Sequence, residues 1–173
     1  KLGRLPVKVL WIDQEAEWQS TVDYTSDVMR DERVDPHWYQ VPLRIFNSTS
    51  TTSEDEWLNC WGEGEEWIRD RDEISIKDDV YGTHTFYDLF NAIARRDLPE
   101  KTAILGGVRC EESPSRRLAI EGKKEGMFDW MTYGKVMDKE RQQFSFYPIY
   151  DWSYTDVWKY IHDNGHPYNK LYD

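Results

Sequence analysis

Cysteine is scarce in this sequence: 173 residues contain Cys60 and Cys110 and no others. The two lie far apart, with no Cys-x-x-Cys pair and no His/Cys ligand spacing. That argues against a zinc site or a disulfide scaffold and fits a reducing, cytoplasmic setting. Long apolar runs are also missing. No stretch approaches the roughly 20 residues needed to span a bilayer, and no secretory h-region occurs, so no membrane partner is expected. Positive charge is in deficit, with 22 Lys and Arg against 33 Asp and Glu and a net charge of −11. A duplex-binding surface needs clustered Lys and Arg, so direct nucleic-acid binding by this segment is not expected. A small anionic ligand remains possible, because it needs only a local cationic pocket. Repeats and low-complexity tracts are absent.

Aromatic residues, in contrast, are plentiful: nine Trp and eleven Tyr. At this length many of them must line surfaces or pockets as well as the core. The chain opens on Lys1 and closes on Asp173, directly after a structured-looking segment. It reads as a piece of a longer protein or a processed chain.

Residues 7–12 form a short β-rich run that stops at Asp13. From Glu15, the three- and four-residue spacing of Trp18, Val22, Thr25 and Met29 predicts an amphipathic helix. Residues 38–46 alternate as a strand, with Pro42 marking an edge or irregular position. A Ser/Thr-rich loop follows at 47–53. Residues 54–69 are expected to be helical, with Trp57, Trp61 and Ile68 on one face, and 70–83 to be irregular. A clear helix at 85–96 and the best strand of the chain at 102–108 precede a short helix at 115–124. The last strand is expected at 144–149. Ser153-Tyr154-Thr155-Asp156 resembles a capping box that opens a final helix, which Asn164-Gly165 ends.

Strands separated by helices predict a mostly parallel, Rossmann-like α/β sheet with helices on both faces. Such sheets bind ligands at the carboxyl ends of their strands. Those ends would present residues 13–17, 47–49, 106–112 and 150–152. The third is the most specialised, "GGVRCEESPSRR" at 106–117. Gly106 and Gly107 would let the backbone turn at positive φ and approach a ligand closely, or would form a plain strand-to-loop turn. Arg109 would pair bidentately with phosphate or sulfate, or with one of the many nearby carboxylates. Ser113-Pro114-Ser115 opens a helix whose N–H groups could hold an anion, or Ser113 or Ser115 simply caps it. Taken together, these features favour an anion site on which Arg109 and Arg116 converge.

Asp13 would hydrogen-bond a ribose or an amino group, or cap the helix expected from Glu15. Cys110 reads as a structural thiol, because Glu111 and Glu112 beside it disfavour a thiolate. His162 and His166 have the spacing of a helical metal pair, but Asn164-Gly165 breaks the helix between them, so neither a metal site nor a metal cluster is expected.

"ILGGVRCEESPSRR" and "YPIYDWSYTDVWKYIHDNGHPYNKLYD" together resemble the signatures of the phosphoadenosine phosphosulfate (PAPS) reductase family. That family belongs to the PP-loop, or adenine nucleotide α-hydrolase-like, superfamily. The first stretch is similar to its Gly-x-Arg…Ser-x-x-Arg pattern and the second to its Pro-Ile-x-Asp-Trp…Asp-Val-Trp-x-Tyr-Ile pattern. The segment "WLNCWGEGEEWIRDRDE" is similar to a phage and bacterial subgroup related to the IbrA regulators. The resemblance implies one partial PAPS reductase-like domain over 1–173, with a Trp-rich insertion around 54–83. The superfamily's Ser-Gly-Gly-x-Asp-Ser loop would precede residues 1–13, so the first strand and PP-loop are expected to be missing from this stretch. The reductases' Glu-Cys-Gly-x-His motif does not occur, which leaves the catalytic residues unassigned.

The resemblance further implies that ATP, APS or PAPS is the bound nucleotide. Asp13 would lie near the adenosine, Gly107, Arg109 and Arg116 at the phosphate or sulfate end, and Asp151 and Trp152 at the pocket floor; Gly106 and Ser113 belong to the anion site expected from the 106–117 stretch itself. It implies sulfonucleotide reduction or chemistry at the α-phosphate, with a thioredoxin-like reductant or a regulatory protein as partner. A transcriptional co-regulator like IbrA and a PP-loop enzyme that inserts sulfur into nucleic acid are the alternatives.

Overall fold

The computed structural model describes residues 6–47, 51, 57–121 and 133–173. They form two compact units. One comprises the chain through Ile93 together with Tyr168–Asp173, and the other is Ala94–Pro167.

In the first unit, β1 (Val7–Ile12) and β2 (Val34–Tyr39) pair in parallel, Val7 opposite Val34 and Ile12 opposite Tyr39. A parallel pair needs a long crossover, and α1 (Gln19–Met29) supplies it. This helix starts four residues later than the periodicity suggests. Glu15 adopts a left-handed φ of 59°, which no helix tolerates, and Trp18 becomes an exposed N-terminal residue instead of a core one. Val22 and Met29 do face inward.

The single strand expected at 38–46 is two strands. β2 ends at Tyr39, and β3 (Leu43–Phe46) runs antiparallel to β4 (Trp57–Cys60). Between them Gln40 is buried with both ends of its amide engaged. Pro42, lacking an N–H, cannot continue a ladder.

The helix expected at 54–69 is absent from the described part of that range. Trp57–Cys60 is strand, and Trp61 turns left-handed at φ 56°. Gly64, at φ 78°, then adopts a conformation that side chains avoid. Residues 52–56 lie outside the described residues, as do 48–50. Two parallel bridges, Tyr39 with Ile76 and Arg44 with Thr85, stitch the irregular 70–85 stretch to the strands. The buried cluster here is Ile12, Tyr39, Val41, Leu43, Cys60, Trp61, Leu89 and Ile93.

The second unit holds a three-stranded sheet in the order β5-β7-β6. β5 (Ala103–Leu105) is parallel to β7 (Gln143–Phe146), and β6 (Gly134–Asp138) is antiparallel to it, with an irregularity at Val136–Asp138. β6 has no counterpart in the sequence reading, because a five-residue Gly-Lys-Val-Met-Asp run carries little alternation. β5 is shorter than 102–108, although Gly106 still donates to the Phe146 carbonyl at 2.8 Å.

α2 (Phe86–Asp97) passes from one unit into the other, and its basic last turn, Arg95 and Arg96, suits the helix dipole. Within the second unit, Gln143 donates from Nε2 to the carbonyls of Ala94 (2.7 Å), Pro99 (3.2 Å) and Leu98 (3.4 Å), closing the end of that helix. α3 (Pro114–Glu121) and α4 (Tyr154–Asn164) complete the unit; residues 122–132 lie outside the description. The class is α/β, as expected. In place of one mostly parallel sheet, the described strands form three small ones, β1-β2, β3-β4 and β5-β7-β6, with two parallel and two antiparallel pairings among the described residues.

Candidate functional site

The end of β5 and the end of β7 lie side by side because the two strands are parallel. At that end Gly106 is pressed against Tyr147: a Cβ built there would sit 3.1 Å from Cε1 and 3.2 Å from Cδ1 of the ring. A side chain at this position would have to push the Tyr147 ring back by a few tenths of an ångström. Neither Gly106 nor Gly107 adopts positive φ, contrary to the expected left-handed turn. Arg109 is extended (φ −120°, ψ 147°), and Cys110–Glu112 then forms one 3-10 turn. The Cys110 N–H donates to the Tyr150 carbonyl at 2.8 Å, joining the loop after β5 to the loop after β7.

Arg109 and Arg116 meet at this turn, and what they meet on is Glu112. Its Oε1 lies 3.6 Å from Arg109 Nε, and its Oε2 lies 3.1 Å from Arg116 Nε. Arg109 is largely buried, with 15% of its side chain exposed, and its Nη1 also donates to Glu111 Oε2 (3.0 Å) and to the Trp152 carbonyl (3.2 Å). Glu111 Oε2 accepts a second bond from the Tyr154 N–H, so this carboxylate also serves the positive end of α4. Two guanidinium groups are thus matched by two carboxylates within one turn and the first residues of α3.

Ser113 acts as the cap of α3. Its Oγ accepts from the Arg116 N–H at 3.1 Å, and Pro114 occupies the first helical position, where a missing N–H costs nothing. Trp152 contributes its carbonyl to Arg109, while its ring makes an edge contact with Tyr160 at 5.4 Å. Asp151 is exposed beside it.

Ser153 and Asp156 form the full capping box that the sequence suggests. The Ser153 hydroxyl accepts from the Asp156 N–H at 3.2 Å, and Asp156 Oδ2 accepts from the Ser153 N–H at 2.8 Å. Those bonds from Ser153 hold the Asp156 carboxyl below its ordinary range. Gly165, left-handed at φ 61°, ends α4, and His162 and His166 fall on either side of that end. No group of three or more His, Cys, Asp or Glu among the described residues is arranged to hold a metal ion.

Cys110 sits in the same turn. Burial pushes its thiol up, and the Glu121 carboxylate, hydrogen-bonded to it, adds to the effect, with Arg117 opposing and Asp151 assisting. The carboxylates that matter are thus Glu121 and Asp151, from the far end of α3 and the loop after β7, and not the adjacent Glu111 and Glu112. Cys60 is buried, and desolvation first, then Glu15, Asp13 and Glu17, push its thiol up to about 11.

Asp13 belongs to the first unit and is fully buried. Its Oδ1 accepts from the Glu15 N–H (2.9 Å) and from Arg69 (2.5 Å); its Oδ2 accepts from Trp38 Nε1 (2.9 Å) and Gln40 Nε2 (2.9 Å). Both oxygens are thus occupied by protein donors, and the residue at the N-terminal cap of α1 is Trp18, not Asp13. Glu15 beside it accepts from the N–H groups of Trp61 (2.6 Å) and Ile68 (2.8 Å). The Trp61 indole donates to the Asp13 carbonyl at 2.8 Å, and the Arg69 guanidinium lies 4.9 Å from its ring centroid.

Glu111, Glu112 and Tyr147 were not singled out in the sequence as site residues. The four-residue spacing of Glu112 and Arg116 was the available signal. The contacts of Glu111 with Tyr154 and of Gly106 with Tyr147 cross some forty positions and leave none.

Residues 3–173 match the family model described as the phosphoadenosine phosphosulfate reductase domain. The chain belongs to the phosphoadenosine phosphosulfate reductase family. It is similar to the uncharacterized protein YbdN of Escherichia coli (strain K12), at 28% identity over 180 residues covering 95% of this chain and 42% of that protein. It is also similar to proteins named adenosine 5'-phosphosulfate reductase from Anoxybacillus flavithermus (strain DSM 21510 / WK1) and Geobacillus thermodenitrificans (strain NG80-2). Those stretches, of 79 residues each, are 29% and 30% identical and cover 46% of this chain and 28% of each relative. The chain therefore spans less than half the length of these members of the family. No solved structure matches. No helix among the described residues is long and apolar enough to cross a membrane.

Proposed function

We propose that this chain is the nucleotide-binding part of a sulfonucleotide reductase-like protein, and that the ends of β5 and β7 hold the anionic end of an adenine nucleotide. The observation that carries the reading is the convergence of Arg109 and Arg116 on a single carboxylate at the ends of two parallel strands. A pair of guanidinium groups that brackets one carboxylate presents donors in the arrangement that phosphate or sulfate accepts. Family membership and the two relatives named adenosine 5'-phosphosulfate reductase support a sulfonucleotide, APS or PAPS, over ATP.

In this reading Gly106 lets the end of β5 pack against the Tyr147 ring, and Gly107 lies beside Ile149 at the same strand end. Ser113 fixes the helix that carries Arg116, and Trp152 holds Arg109 through its carbonyl. Asp151 stands at the rim. Neither described cysteine is a ready nucleophile, since both thiols are pushed up. The role proposed for this chain is therefore to bind and orient the nucleotide, with the reducing equivalents drawn from a thioredoxin-like partner.

Charge-assisted hydrogen bonds contribute about 1.5–3 kcal/mol each. Arg109→Ala in the full-length protein is expected to weaken APS or PAPS binding roughly tenfold or more by calorimetry. Unchanged affinity would overturn the site.

A further inference from the structure

Glu112 and Glu111 touch the same arginine but are held in different ways. Glu111 is fixed from two directions, since its Oε2 accepts both from Arg109 Nη1 and from the Tyr154 N–H at the start of α4. Glu112 is held by an ion pair to the half-exposed Arg116, four residues on, and by a 3.6 Å approach to Arg109 that is too long for a hydrogen bond. An exposed pair of this kind contributes little. Arg109 does not need it to stay in place, because Glu111 and the Trp152 carbonyl already hold its Nη1. Of the two carboxylates, Glu112 is the one that can be exchanged for another anion.

We propose that Glu112 is a specificity-determining residue of the strand-end site: its carboxylate is the internal anion that a ligand's phosphate or sulfate must displace from Arg109 and Arg116. This rests on the nucleotide-binding reading above and adds a charge rule to it. A displaced Glu112 stays tethered next to the ligand, and Glu111 does not move. The incoming group therefore meets two negative charges, and the repulsion grows with the charge it carries. The site accordingly favours the phosphosulfate end of APS over the more highly charged triphosphate of ATP.

The test is calorimetric titration of full-length protein with APS and with ATP, comparing wild type, Glu112→Gln and Glu112→Ala. Glu140→Gln serves as a control: it removes the same charge in the exposed turn between β6 and β7, at the opposite end of β7. Glu112→Gln is expected to tighten APS binding roughly three- to tenfold, the scale of relieving one partly exposed charge contact, and to tighten ATP binding by a larger factor. Glu112→Ala should follow the same order, and Glu140→Gln should change either affinity by less than about twofold. Unchanged or weaker APS binding in both Glu112 variants, or a gain for ATP no larger than that for APS, would overturn the proposal. If Arg109→Ala still weakens binding in that case, the strand-end site stands and only the role of Glu112 is lost. If Arg109→Ala has no effect, the site reading itself has failed.

Discussion

Replacing Asp13 by asparagine removes a negative charge and places an NH2 group where four donors already point. Trp38 and Gln40 donate to one carboxylate oxygen, and Glu15 N–H and Arg69 to the other. Whichever way the new amide is turned, two donors face another donor. Gln40 cannot relieve the conflict by flipping its own amide, because its Oε1 accepts from the Asp72 N–H at 2.6 Å. Each buried donor left without an acceptor costs about 1–3 kcal/mol. Arg69, only 16% exposed, loses its countercharge, and breaking one side of a buried pair costs about 3–5 kcal/mol. These terms share partners and do not add, so the expected loss is about 4 kcal/mol.

That is a large part of the roughly 5–15 kcal/mol by which domains are stable. In urea it should move the midpoint by about 2 M, given slopes near 2 kcal/mol/M. Tryptophan fluorescence is a suitable readout, since Trp38 and Trp61 both bond directly to Asp13. Asp35→Asn, at the exposed pair with Lys8, is the control and should change stability by less than about 1 kcal/mol. A midpoint for Asp13→Asn close to wild type would refute the reasoning. Normal stability with lost nucleotide affinity would move Asp13 to the ligand.

Two further outcomes are expected. Cys60 and Cys110, both with thiols pushed up, should be alkylated slowly at neutral pH in the folded protein; rapid labelling of Cys110 with loss of nucleotide binding would show that its surroundings have been misread. The Asp156 carboxyl is held low by its bonds to Ser153, so its support of α4 is present above the ordinary carboxylate range near 3.9 and is lost as pH falls through the lower folded value. An NMR titration should place Asp156 below 3.9, and Ser153→Ala should return it towards that value while costing about 1 kcal/mol of stability; an unshifted Asp156 in the wild type would contradict the capping box.

The sequence by itself determined what depends on neighbours a few residues apart. Val7–Ile12, the helix at Phe86–Asp97 and the Ser153–Asp156 capping box with its Gly165 stop are all local patterns, and all are present. The same holds for the family, whose motifs are contiguous in the chain. Tertiary structure decided what depends on distant partners. Trp57, Trp61 and Ile68 have helical spacing, yet the segment is drawn into a strand and a left-handed turn. Pairing with Leu43–Phe46 and the backbone bonds from Trp61 and Ile68 to Glu15 outweigh a weak helical preference interrupted by glycine. Asp13 carries no mark of burial in its own neighbourhood; only the arrival of Trp38, Gln40 and Arg69 turns it into an internal acceptor. The arginines of the candidate site were legible as charges, but the anion they share was not. Which carboxylate a guanidinium selects is settled by where β5, β7 and α4 bring the chain together, and an isolated carboxylate–arginine attraction in water is too weak to settle it locally.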